Sequence, residues 1–161
     1  MRRNHLIAAA VICLVLIVYA TLAKLAGLLT AAAYSALCLG SEHDAVEYAA
    51  RATPATRALD NPYAQMINSG NLGLAALLTG DPDTASRAFR EELTLCREMV
   101  IRPVAFEGLR GLAAVAALHG DDARAATLVG AADAHRYDFP EDPAARARRA
   151  PSSSRPPSKS Q

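Results

Sequence analysis

A chain of 161 residues, 52% apolar but only 5% aromatic and without tryptophan, is long enough for one domain whose core has to be built from alanine and leucine. Its net charge of +1 conceals a division: residues 4–143 carry 10 Lys or Arg against 16 Asp or Glu (10 − 16 = −6), while residues 144–161 carry five basic residues and no acid. A body of that sign gives no electrostatic reason for nucleic-acid binding, and three distant cysteines (Cys13, Cys38, Cys96) with no Cys-x-x-Cys pair argue against a disulfide framework or structural zinc.

The chain opens with Arg2 and Arg3, followed by residues 6–23, bounded by Leu6 and Ala23, in which no side chain is charged. Three readings compete. Such a run is long enough for a membrane helix, with the arginines holding its start in the cytoplasm. It also has the basic start, apolar centre and small-residue pattern Val18-Tyr-Ala20 of a cleaved secretory signal. The third reading is a buried helix stacked under the first repeat, or an N-terminal extension that never acts as a targeting signal.

Beyond Lys24, residues 25–39 place Leu25, Leu28, Leu29, Ala32, Ala36 and Leu39 at helical spacing. Ser41, with Asp44 three residues later, is expected to cap a second helix in an imperfect capping box. Pro54 is expected to kink or break that helix near Thr53, since proline removes a hydrogen bond and crowds the preceding turn. Asp60-Asn-Pro62 reads as a linker. A third helix is expected over 63–79 and a fourth over 82–100, joined by Gly80-Asp81-Pro82: a glycine to end one helix, a cap, and a proline at the first position of the next.

The fourth helix is the most amphipathic. Ala85, Ala88, Phe89, Leu93, Cys96 and Met99 form its apolar face, with Arg87 and Glu91 opposite at pairing distance. Pro103 is expected to start a fifth helix ending at Leu118, and Gly120-Asp121-Asp122 turns into a sixth reaching about Tyr137. The cysteines fall within apolar helical patterns and read as buried free thiols. Residues 141–161 form a basic tail rich in Pro and Ser, expected to be disordered.

A shift of forty residues superimposes Gly40, Gly80 and Gly120, and with them Ala45, Ala85 and Ala125, then Ala36, Ala76 and Ala116. Small residues at these offsets let paired helices approach to about 8 to 10 Å, so the register predicts packing. The expected fold is all-α: three stacked helical hairpins over residues 24–140, preceded by the apolar helix 1–23 and followed by the tail.

Within this array Gly73 and Ala85, twelve apart and followed by Phe89, resemble the small-small-aromatic signature of a tetratricopeptide repeat, as do Ala33 with Ala45 and Ala113 with Ala125. The period of forty instead of thirty-four and the alanines at 36, 76 and 116 depart from that pattern. Asn71-Leu-Gly-Leu-Ala-Ala-Leu, Phe89-Arg-Glu-Glu-Leu-Thr-Leu-Cys-Arg-Glu98, Gly111-Leu-Ala-Ala-Val-Ala-Ala117 and Ala125-Ala-Thr-Leu-Val-Gly-Ala-Ala-Asp133 resemble the C-terminal helical-repeat region of large bacterial signalling ATPases and of LuxR-type or AfsR-like regulators. The resemblance implies partner binding in the cytosol. No phosphate-binding loop and no helix-turn-helix with a basic face accompany it, so nucleotide hydrolysis and operator binding are not carried over. It also leaves room for a truncated, non-functional remnant of such a regulator.

Catalysis would have to draw on His119, Asp121 and Asp122, which sit at a turn where the aspartates serve as caps, or on Asp133 and His135, which point to different helix faces. The reading is therefore a non-catalytic interaction module with no metal, cofactor or small-molecule substrate. Its partner is a protein or peptide laid in a concave groove, with Tyr34, Tyr63, Gln65, Asn68, Asn71, Glu107 and Arg110 as candidate contacts. Two localisations stay open. Residues 6–23 imply membrane attachment, or export if they are cleaved, whereas the resemblance implies the cytoplasm.

Overall fold

The computed structural model describes residues 2–101 and 104–136. Six α-helices follow one another: α1 (Arg2–Cys38), α2 (Glu42–Ala58), α3 (Pro62–Leu78), α4 (Pro82–Glu98), α5 (Ala105–Leu118) and α6 (Asp122–Arg136). Pro103, Tyr137 and the tail lie outside the described residues.

The turns share one geometry, which explains the regular spacing. Gly40, Gly80 and Gly120 adopt φ of +71°, +80° and +76°, and Asp60 and Val100 occupy the corresponding places at +48° and +58°. Left-handed residues thus recur every twenty positions, one per helix, so the forty-residue register is two helix-plus-turn units. At four of the five turns the N–H three places past the helix end (Ser41, Asp81, Ile101, Asp121) reaches back to a carbonyl of the last turn (Ala36, Ala76, Cys96, Ala116) at 2.8–2.9 Å, satisfying groups that the helix end leaves open. Asn61, Asp81 and Asp121 then cap the following helices by accepting from the N–H groups of Ala64, Thr84 and Arg124.

Each helix packs on the next, and α3 additionally touches α1 and α5. The interfaces are made of small side chains: Ala33, Ala45, Ala49, Ala52, Ala75, Ala76, Ala85 and Ala113 are all buried, as close helix approach requires.

Several expectations need correction. Ser41 makes no side-chain cap, although its N–H reaches back to the Ala36 carbonyl as the corresponding N–H groups of Asp81 and Asp121 do at their turns. Pro54 does not break α2. In the turn before it, the Ala49 carbonyl accepts from Thr53 Oγ1 and from Asn68 Nδ2, each at 3.0 Å, and burial of Ala49, Ala52 and Ala55 holds both halves against their neighbours. Glu91 pairs not with Arg87 but with Arg57 on α2, at 2.8 Å, while Arg87 donates to Thr84. Of the cysteines only Cys96 is buried; Cys13 and Cys38 are exposed.

The largest departure is at the N-terminus. Residues 6–23 and 25–38 are one uninterrupted helix of 37 residues; Lys24 ends nothing, because a single lysine on an exposed face carries no helix-breaking penalty. Side chains 10–21 are all exposed, and among the described residues the first buried one is Ala26. The side chains of residues 10–21 therefore do not pack beneath the following helices. Within α1 the stretch Ala10–Cys38 is long and apolar enough to cross a membrane, and a signal sequence has the same composition.

Candidate functional site

Helices α1, α3 and α5 come together on one side of the molecule, and α4 runs behind them. Between them lies a groove enclosing about 610 Å³. Tyr34, Leu37 and Cys38 of α1 form one wall; Ile67, Asn71, Leu74 and Leu77 of α3 run along its middle; Val104, Phe106, Glu107, Arg110 and Ala114 form the far wall; Phe89 and Glu92 of α4 make the floor with Gly70 and Gly111. Helices α2 and α6 contribute nothing to it.

Two glycine pairs of equal spacing hold the floor, Gly70 with Gly73 on α3 and Gly108 with Gly111 on α5, of which Gly70 and Gly111 line the groove. A methyl group at Gly73 would stand 2.7 Å from Phe89 Cε1, and one at Gly111 only 2.4 Å from the other edge of the same ring. One helical turn along, a methyl at Gly70 would stand 3.0 Å from Glu92 Oε1 and one at Gly108 3.0 Å from Glu92 Oε2. The glycines are therefore the space into which α4 inserts a ring and, three residues later, a carboxyl.

Glu92 is 1% exposed, and its Oε2 is buried with no hydrogen-bond partner. Burial, and after it the charge of Glu107, push its carboxyl up to about 8, since an ion without water or a counter-charge is costly. The carboxyl is thus mostly protonated at neutral pH. Cys96, one turn further along α4, is raised to about 11 by burial first and then by Glu92 and Glu107, which removes it from thiolate chemistry at physiological pH.

The seven residues proposed from sequence separate. Tyr34, Asn71, Glu107 and Arg110 line the groove. Asn71 also ties α3 to α1 by donating to the Thr30 carbonyl at 3.3 Å. Tyr63, Gln65 and Asn68 are not part of it: Tyr63 is exposed elsewhere, Gln65 donates to the Thr56 carbonyl, and Asn68 is buried against α2, where it donates to Ala49 and Thr53. Sequence reasoning missed Glu92. The signal was present, because Glu92 falls three residues after Phe89 and four before Cys96, in the middle of the apolar stripe of α4.

Among the described residues no group of three or more His, Cys, Asp or Glu side chains is arranged to hold a metal ion. Tyr34 and Cys38 share a wall, and no histidine lines the groove. No protein-family model, characterised relative or solved structure matches the chain.

Proposed function

We propose that the chain is a non-catalytic interaction module, a short tetratricopeptide-like array whose groove takes a segment of a partner protein. The observation that carries this reading is the groove's composition. An apolar channel bounded by successive first helices, with polar groups such as Tyr34, Asn71, Glu107 and Arg110 among its lining residues, has the anatomy of a peptide-binding surface, an apolar centre within a polar margin. The twenty-residue regularity of the turns and the local resemblance to the repeat regions of bacterial regulators support the same class.

The long α1 adds a second element. Its exposed apolar residues, Ile12 and 14–19 among them, suit a bilayer better than water. Residues 6–25, twenty positions of helix, span about 30 Å at 1.5 Å per residue, and the packed part of the same helix starts at Ala26. We propose membrane tethering in which one unbroken helix both crosses the bilayer and forms a wall of the groove, so that partner binding occurs close to the membrane surface.

Site-specific photo-crosslinking in the protein's own cells tests the interaction reading. A photoreactive residue at Leu74 or Ala114, in the groove, is expected to give a discrete protein adduct that disappears with Leu77→Arg. The same residue at Arg51 on α2 is expected to give none. Adducts from Arg51 alone, or equal adducts from both faces, would contradict it. Extraction of the full chain only by detergent, with residues 24–161 soluble, is the outcome expected of the tether.

A further inference from the structure

We propose that the floor of the groove is a lysine-binding position: the partner segment inserts a lysine side chain whose stem lies along the apolar wall and whose ammonium sits on Oε2 of Glu92. The inference rests on the interaction reading above and names the chemistry that reading leaves open.

Three observations carry it. First, Glu92 is buried to 1% exposure beneath a groove while one of its oxygens has no partner; a buried polar atom left without a hydrogen bond is costly, a penalty that a ligand donor removes. Second, the carboxyl is held between glycines that offer it no polar partner: a methyl at Gly70 would stand 3.0 Å from Oε1 and one at Gly108 3.0 Å from Oε2, with Gly73 and Gly111 flanking Phe89 one turn away. Alanine is the usual interface residue in this protein, and at these places even a methyl is missing. Third, the neighbouring charge that raises the Glu92 carboxyl is another carboxylate, Glu107, so the local field favours a cation over a neutral donor.

A single unpartnered, buried oxygen suits the compact point charge of an ammonium more than the broad planar fork of a guanidinium. The lining of Ile67, Leu74 and Leu77 matches a methylene stem, which lysine buries readily.

Binding of an ammonium requires the ionised carboxyl, so it expels the proton that Glu92 holds in the empty groove. The other titratable or charged groups facing this place are Glu107 and Arg110 from α5, Tyr34 and Cys38 from α1, and Cys96 from α4 itself; α3 presents only glycine, asparagine and apolar side chains. Affinity for an ammonium ligand is therefore expected to rise between pH 6 and 8.

The test uses the full chain in phosphatidylcholine nanodiscs, with the backbone amides of Gly70, Gly108 and Gly111 followed by NMR during titration with n-hexylammonium, 1-hexanol and hexanoate. The expected result is a dissociation constant for hexylammonium at least fivefold below that for hexanol at pH 8, hexanoate binding weakest, and loss of the preference in Glu92→Gln with hexanol affinity retained. Equal binding of hexanol and hexylammonium would overturn the lysine position while leaving the groove as an apolar docking surface. A preference for hexanoate, or no shift of the glycines with any probe, would overturn it as well; the crosslinking map then judges the groove separately. Shifts that follow protein concentration alone would make a second copy the occupant and would also refute it.

Discussion

Phe89 and Glu92 sit one helical turn apart on α4 and are held in the same way, each against one glycine from α3 and one from α5. One tier is filled by a ring and the other by a carboxyl. The ring makes the tightest contacts of the floor and joins Ala76, Ala85 and Val115 in a core cluster, so its glycines are explained by packing. The carboxyl fills an equivalent space less closely, leaves Oε2 unpartnered and weakens the fold relative to an apolar side chain of the same shape. Equal architecture with unequal chemistry separates what holds the helices together from what the groove is for.

The comparison is sharpened first by pH. Glu92 titrates from an ordinary value of 4.5 in the unfolded chain to about 8 in the folded one, so the native state holds that proton more tightly. The stability it carries is whole below about pH 4.5 and is lost as the pH rises to about 8, on the order of 4 to 5 kcal/mol over the window at 1.36 kcal/mol per unit. Urea unfolding across pH 5 to 9 is expected to show this decline in the native chain and a flatter profile in Glu92→Gln. Parallel profiles would place the carboxyl in contact with water.

In the other tier, Phe89→Ala is expected to cost about 3 to 5 kcal/mol, nearly independent of pH over the same range. A smaller cost, below 1 kcal/mol, would mean that the glycine contacts with the ring are loose. The glycines should divide accordingly. Gly111→Ala drives a methyl into a ring that is enclosed on both edges and is expected to destabilise by about 1 to 3 kcal/mol. Gly70→Ala meets only the end of a flexible side chain at 3.0 Å, and the gain of about 1 kcal/mol in helix propensity offsets much of the strain. It is expected to be near neutral in thermal unfolding.

A similar contrast recurs in the turns. Gly80 takes its positive φ freely, but Val100 adopts +58° with a β-branched side chain that is 75% exposed and so gains little from burial. Val100→Gly is expected to stabilise by about 1 kcal/mol, and a loss on that substitution would show that Val100 is held by contacts worth more than its strain.

The helices were legible because their punctuation is local: a glycine, an acidic cap and a proline at Gly80-Asp81-Pro82 state where one helix stops and the next begins. Turns without that vocabulary were harder. Val100 carries no signal for a left-handed residue, yet it keeps the twenty-residue beat that Gly40, Gly80 and Gly120 announce. The merging of residues 6–23 with the first repeat was hidden because a hydrophobic run and an adjoining amphipathic helix differ in what surrounds them and not in backbone preference. The groove was partly visible. Tyr34, Asn71, Glu107 and Arg110 lie on first helices, whereas Asn68 and Gln65 share α3 with Asn71 but face α2, a difference of helix rotation that polarity alone does not encode. Glu92 escaped because a charged residue is normally assigned to the solvent face, and only its position within the apolar stripe argued otherwise.

The most direct measurement is the titration of the Glu92 side-chain carboxyl in the full chain, without ligand, by carbon-13 NMR. A midpoint near 8 is the result expected of a buried, unpartnered acid waiting under the groove. A midpoint near 4.5 would show a solvated carboxylate and would contradict both the glycine-lined floor as an enclosed site and the lysine position built on it.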